Sequence, residues 1–282
     1  MGSLSRLDKK NLRECRMCNW SFSKDKTQCP KCRAMNIDEI VHYDPAKDNT
    51  VLLTDSKDRE PTPRISTGPW DINWGKSKNA KGQFQMGIAR SSVSLIGGAP
   101  GAGKSTLCLQ LASGIAQADK REVLYIAGEE GEDDIDDRAK RLGITFEVRK
   151  LIRVCPMGKE INLNAVLEGR MPAAIFVDSL PTIMPDPGEA VDFATKLKHW
   201  STIKKVPTII VDHVTKEEDF AGQMALQHAV DGTFLFTVDD DEVRIFKTIK
   251  NRNGPSGVTT LLAMTETGLE LYIDDDDDED DS

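Results

Sequence analysis

Apolar positions from about residue 65 to 273 come in short runs, and the runs alternate with amphipathic stretches. Val93–Ile96, Glu122–Ile126, Ala173–Val177 and Pro207–Val211 are near-continuous apolar runs, the pattern of strands covered on both faces in a parallel sheet. Between them, Ser105–Gln117 and Ala190–Lys204 read as helices. That alternation predicts an α/β fold, a mostly parallel sheet with helices on both faces. Thr233–Val238, Val243–Lys250, Thr259–Met264 and Leu269–Ile273 then follow at short intervals with turn residues between them. They are expected as antiparallel strands extending one edge of the sheet.

The flanks of this region differ from it. Residues 1–40 hold four of the six cysteines. Residues 41–64 are polar, with Pro45, Pro61 and Pro63, and suit a linker. Residues 65–273 form the α/β domain, and 274–282 have nothing to bury, so a disordered acidic tail is expected. The formal charge is −9, but eight consecutive acids stand at 274–281, so the body is nearly neutral. Net charge therefore neither supports nor excludes a nucleic-acid partner; its distribution decides. No run approaches the ~18 apolar residues of a membrane helix, and the polar start predicts no signal peptide. The expectation is a cytoplasmic protein with no membrane partner.

Gly98-Ala-Pro-Gly101-Ala-Gly103-Lys104-Ser105 is a complete phosphate-binding loop, with a strand leading in and an apolar helix leading out. Glycines let backbone N–H groups curl towards phosphates, and the helix N-terminus favours negative charge. Gly98, Gly101, Gly103, Lys104, Ser105 and Thr106 are thus the expected ATP contacts. Lys104 reaches the β- and γ-phosphates, and the Ser105 hydroxyl ligates Mg2+. Asp178, directly after an apolar run, sits where parallel sheets bind ligands and is the second carboxylate for Mg2+. Glu129 and Glu130 also follow a strand, and one of them is the expected catalytic base or water positioner. The acids that continue from Glu132 to Asp137 suit a solvated helix start.

Cys15-x2-Cys18 and Cys29-x2-Cys32 are two knuckle pairs, and four thiolates complete a tetrahedral structural Zn2+ site. A module this small depends on its metal to fold. Cys108 and Cys155 stand alone in apolar surroundings and are expected as small core residues.

In order along the chain stand the cysteine module, Arg64-Ile-Ser-Thr-Gly68, the phosphate loop, and Tyr125-Ile-Ala-Gly-Glu-Glu130. Arg138-Ala-Lys-Arg-Leu-Gly143, Val177-Asp-Ser-Leu-Pro-Thr182, His213-Val-Thr-Lys216, Ala221-Gly222, Leu226-Gln-His-Ala-Val-Asp231 and Lys250-Asn-Arg-Asn-Gly254 follow. From about residue 15 to 273, this series resembles the bacterial RadA/Sms family. The resemblance implies a RecA-like P-loop NTPase core of the DnaB type, assembled as a hexameric ring on single-stranded DNA. It implies an ATP-dependent DNA motor, a helicase or branch-migration enzyme of recombination and repair, with ATP, Mg2+ and Zn2+. A recombinase or replication protein is the further partner to expect, in a bacterial or phage-infected cell.

By the same resemblance Glu129 is the catalytic glutamate and His213 senses the γ-phosphate. Lys250 and Arg252 reach a neighbouring subunit's ATP, where a cation supplied in trans stabilises charge on the γ-phosphoryl group. The family's C-terminal Lon-like domain has no counterpart here, which suits an accessory or phage-encoded form. Asn253 stands where the family has Phe, and Trp70–Gly75 with a basic stretch, 76–82, replaces Gly-rich residues. Three acids follow Lys216. Two other functions stay open: a phage replicative helicase of the DnaB kind, and a nucleotide-switched DNA-binding or assembly module without translocation.

Overall fold

A computed structural model describes residues 12–15, 21–23, 25–33, 37–39, 62–79, 81–156, 167, 169–213 and 224–272. The chain divides into two units, Met1–Arg59 and Glu60–Ser282. In the first, β1 (Leu12–Cys15) pairs antiparallel with both β2 (Ser21–Ser23) and β3 (Ile37–Glu39). Its buried cluster is Cys15, Phe22 and Cys29.

The second unit opens with β4 (Arg64–Ile65), α1 (Asp71–Trp74), the hairpin β5 (Lys76–Lys78) and β6 (Phe84–Met86), and β7 (Ile88–Ala89), which pairs with β4. The main sheet then begins with β8 (Val93–Gly98), followed by α2 (Lys104–Asp119), β9 (Val123–Ala127), α3 (Glu132–Arg141), α4 (Phe146–Arg149) and β10 (Ile152–Cys155). Next come β11 (Ala174–Asp178), α5 (Leu180–Ile183), α6 (Pro187–Lys204), β12 (Thr208–His213) and α7 (Met224–Ala229). Last are β13 (Gly232–Val238), β14 (Arg244–Asn251), β15 (Thr259–Thr265) and β16 (Gly268–Leu271). Nine strands form one sheet in the order β10-β9-β11-β12-β8-β13-β14-β15-β16.

Alternation along each parallel strand splits the core in two. Tyr125, Phe176, Ile209 and Ile96 face α2, packed with Leu107, Leu111 and Ile115. Leu124, Ile126, Ile175, Val177, Ile210, Val93 and Leu95 face the other way, towards Phe193, Ala194 and Leu197 of α6. Both faces of these strands are covered, which is why their sequences read as unbroken apolar runs. Helix α6 starts where Asp186 caps it, its Oδ1 accepting from the Glu189 amide at 2.9 Å, with Pro187 next in line.

Four expectations change. Strand β13 is not antiparallel to the core: it runs parallel to β8 and is antiparallel only to β14 on its other side. Strand β10 and the hairpin β5–β6 were not anticipated. Cys155 is only partly buried, at the end of edge strand β10, whereas Cys108 is fully buried. Among the described residues no helix is long and apolar enough to cross a membrane. Most of the expected linker, the stretch from Lys216 to Gly222 and the acidic tail lie outside the described residues.

Candidate active site

The loop after β8 folds as its glycines require. A side chain at Gly98 would meet the Phe236 carbonyl oxygen at 2.2 Å, so β13 can lie alongside only because none is present. Gly103 has φ +106°, and a Cβ there would stand 2.6 Å from the Met264 methyl. Helix α2 begins at the next residue, so its first amides face the loop. Lys104 Nζ donates to the carbonyls of Gly98 at 2.7 Å and Ala99 at 2.8 Å. Burial pulls its pKa down, while Asp178, Cys108, Glu129 and Asp212 pull it up. Thr106 is buried in the first turn of α2.

Asp178 closes β11, two strands from the loop. Its Oδ2 accepts from the Tyr125 hydroxyl at 2.5 Å, and its carboxylate also takes a hydrogen bond from Ser105. Burial raises its pKa, opposed by these two donors. Ser105 and Asp178 are therefore neighbouring oxygen ligands in one crevice, a donor set that suits Mg2+. The peptide joining Asp178 to Ser179 is cis.

Glu129 and Glu130 divide clearly. Glu130 is held by both terminal nitrogens of Arg138, one at 2.7 Å. Glu129 faces the crevice, and three donors converge on its Oε1: Ser179 Oγ, Thr182 Oγ1 at 2.9 Å and His213 Nε2 at 3.2 Å. The hydrogen bond from Ser179 foremost lowers the Glu129 pKa; burial opposes it, and the bonds from Thr182 and His213 add to the lowering. Among the described residues none donates to Oε2. Sequence reasoning singled out neither Ser179 nor Thr182, although both lie in the quoted segment after β11. A Ser-x-x-Thr pair directly behind a strand-end Asp was the signal. Tyr125 was masked by its place in an apolar strand.

Lys250 and Arg252 lie elsewhere. Lys250 pairs with Thr233, which pairs with Leu95, and the Arg252 amide donates to the carbonyl of Asp231 at 2.9 Å. Asp231 is fastened to Val93, the first residue of β8. The whole length of β8, roughly 16 Å at strand rise, thus separates Arg252 from its own phosphate loop. Lys250 Nζ donates to the carbonyls of Gln227 at 2.7 Å and Val230 at 3.0 Å, at the C-terminal end of α7. Burial lowers its pKa, helped by the nearby charges of Arg252 and Lys198. The Arg252 side chain is 55% exposed, with one 3.7 Å contact to Asp231.

In the first unit, the sulfurs of Cys15, Cys29 and Cys32 lie within 4.8 Å of one another, with Cys15 and Cys32 at 3.4 Å. Tetrahedral Zn2+ with 2.3 Å bonds would set them about 3.8 Å apart, so these thiols fit the metal. Cys18 lies outside the described residues.

The family model described as "AAA domain" matches residues 69–219, more than half of the chain. DNA repair protein RadA of Aquifex aeolicus is 33% identical over 275 residues, covering 91% of this chain and 58% of the relative. The RadA proteins of Haemophilus influenzae and Bacillus subtilis are 32% and 30% identical, each over 90% of this chain and 58% of their own length. The chain thus spans just under three fifths of the length of these relatives. A KaiC-like protein from Pyrococcus horikoshii shares the fold, with TM-score 0.59 and 16% identity, over 76% of this chain and 99% of that one. With a RecA/KaiC-like sheet, a complete phosphate loop and these matches, the chain belongs to the AAA domain family as a relative of the RadA DNA repair proteins.

Proposed function

We propose that this chain is an ATP-hydrolysing motor that works on single-stranded DNA in recombination and repair, as a ring whose subunits complete one another's sites. The observation that carries this reading is the convergence of Lys104, Ser105, Glu129, Asp178 and His213 at one end of the parallel strands, with an exposed Arg252 at the other.

In this mechanism the loop amides and Lys104 hold the β- and γ-phosphates. Ser105 and Asp178 hold Mg2+, which when bound neutralises phosphate charge. Glu129, kept ionised by its three donors, orients the attacking water through Oε2 and takes its proton. His213 bridges Glu129 to the end of β12, so loss of the γ-phosphate is felt where the chain enters 214–223. Arg252 supplies the in-trans cation, and Lys250 positions its strand against α7. The four cysteines of the first unit hold a structural Zn2+.

The test is the ATP hydrolysis rate with and without single-stranded DNA, beside sedimentation with ATP. Stimulation together with a ring is expected. No stimulation and no ring would replace the motor with a nucleotide-switched binding module. Migration of a three-strand joint, compared with unwinding of a forked duplex, separates a recombination motor from a replicative helicase.

A further inference from the structure

The hairpin β5–β6 has its faces reversed relative to an ordinary surface hairpin. Its register pairs Lys76 with Met86, Ser77 with Gln85 and Lys78 with Phe84. Side chains alternate across a strand, so Ser77 and Gln85 share one face and Lys76, Lys78, Phe84 and Met86 the other. The polar face is the anchored one: Arg64 Nε donates to Ser77 Oγ at 3.1 Å, and the Arg64 amide to Gln85 Oε1 at 3.4 Å. The face bearing the aromatic ring points to solvent, with Phe84 64% and Met86 46% exposed. The ammonium groups of Lys76 and Lys78 lie 5.4 and 5.1 Å from the Phe84 ring centre.

Asn79 Oδ1 accepts from the amides of Lys81 and Gln83, and the Asn79 amide donates to the Gln83 carbonyl at 2.8 Å. Lys81 adds a third cation, and no acid occurs between Asp71 and Asp119. An exposed ring flanked by two lysines, with a third at the turn, suits a polyanion that also carries flat apolar faces. Base stacking on an aromatic ring is stronger than an exposed cation–π contact, so a base can take the ring while the lysines turn to its phosphates.

We propose that this hairpin is a contact surface for single-stranded nucleic acid, with Phe84 stacking on a base and Lys76, Lys78 and Lys81 meeting the phosphates. The inference rests on the DNA-motor reading and assigns part of its DNA contact to a segment outside the nucleotide site. The probe is a fluorescent oligothymidylate of about 20 nucleotides, longer than the span of one small binding fold, beside an abasic oligomer of equal length and charge. Phe84→Ala in the full chain should weaken oligothymidylate binding about tenfold, leave the abasic oligomer unchanged, and be rescued by Phe84→Trp. Replacing the three lysines by Ala should flatten the dependence of log affinity on log salt by about two. ATP hydrolysis without DNA should be unchanged in all variants.

If the unaltered chain binds oligothymidylate, is stimulated by it, and the variants match it, the hairpin inference falls and the motor reading stands. If the unaltered chain binds no oligothymidylate, both fall. Altered sedimentation of Phe84→Ala at unchanged oligothymidylate affinity would overturn the inference by making the hairpin a contact between subunits.

Discussion

The two ends of the parallel strands are built on different terms. At the carboxyl ends, charged and polar groups bind one another: Lys104 to loop carbonyls, Asp178 to Tyr125, and Glu129 to Ser179, Thr182 and His213. At the opposite ends, Asp231 gathers the start of β8, Lys198 at 2.9 Å and, loosely, Arg252. The first end gathers the groups of the nucleotide site proposed above. The second carries an arginine that is largely exposed and meets Asp231 at 3.7 Å. Polar groups engaged with one another account for their own placement, whereas Arg252, in a turn whose backbone is fixed to Asp231, leaves its side chain turned to solvent.

The largest effects would come from cutting each end separately. Lys104→Ala and Arg252→Ala should each lower hydrolysis by about a thousandfold or more, the second with ATP binding retained. Mixing the two inactive variants should restore part of the rate, because an intact loop then meets an intact arginine across an interface. A mixture as inactive as its components would break the comparison. Next in size is the contrast within the first end. Glu129→Gln should cost about a hundredfold in kcat, while Glu130→Gln, which only loosens the Arg138 pair, should keep a rate close to that of the unaltered chain. A smaller effect, on stability, is expected at the second end. Asp231→Ala removes partners from Val93 and Lys198 and should cost about 2 kcal/mol in urea unfolding. The smallest is a shift in pH profile. Donors on Oε1 favour ionised Glu129, so its carboxylate stays charged below the ordinary 4.5. Ser179→Ala removes the strongest donor, so the acid limb of kcat should move to higher pH. An unmoved limb would separate Glu129 from the chemistry.

The parallel strands were legible because strands covered on both faces cannot avoid apolar runs, and the phosphate loop because its spacing leaves few alternatives. Strand β10 was not. Ile152-Arg-Val-Cys155 is short, carries a charge, and ends the order of strands among the described residues. The orientation of β13 depended on which neighbour it chose, and nothing in Thr233–Val238 encodes that choice. The hairpin β5–β6 escaped notice because its apolar residues do not face the core. Within the site, Asp178 and Glu129 were readable from their places behind strands. Ser179 and Thr182 act on Glu129 across about fifty residues of sequence, so their part emerged only once β9 and β11 lay side by side. The grip of Lys250 on α7 is likewise a tertiary fact.

Arg64 connects regions that the chain keeps far apart. One guanidinium donates to Ser77 in the hairpin, to the backbone of Trp74 and Gly87 at its base, and to the carbonyl of Asn253, the residue after Arg252. Asn251 Nδ2 adds a bond to the Trp74 carbonyl at 3.1 Å, and Gly254 packs so closely on Trp74 that a methyl group would not fit. The hairpin and the arginine turn are thus riveted to one pivot. A single half-buried guanidinium is therefore the joint between a surface hairpin and the turn that carries Arg252.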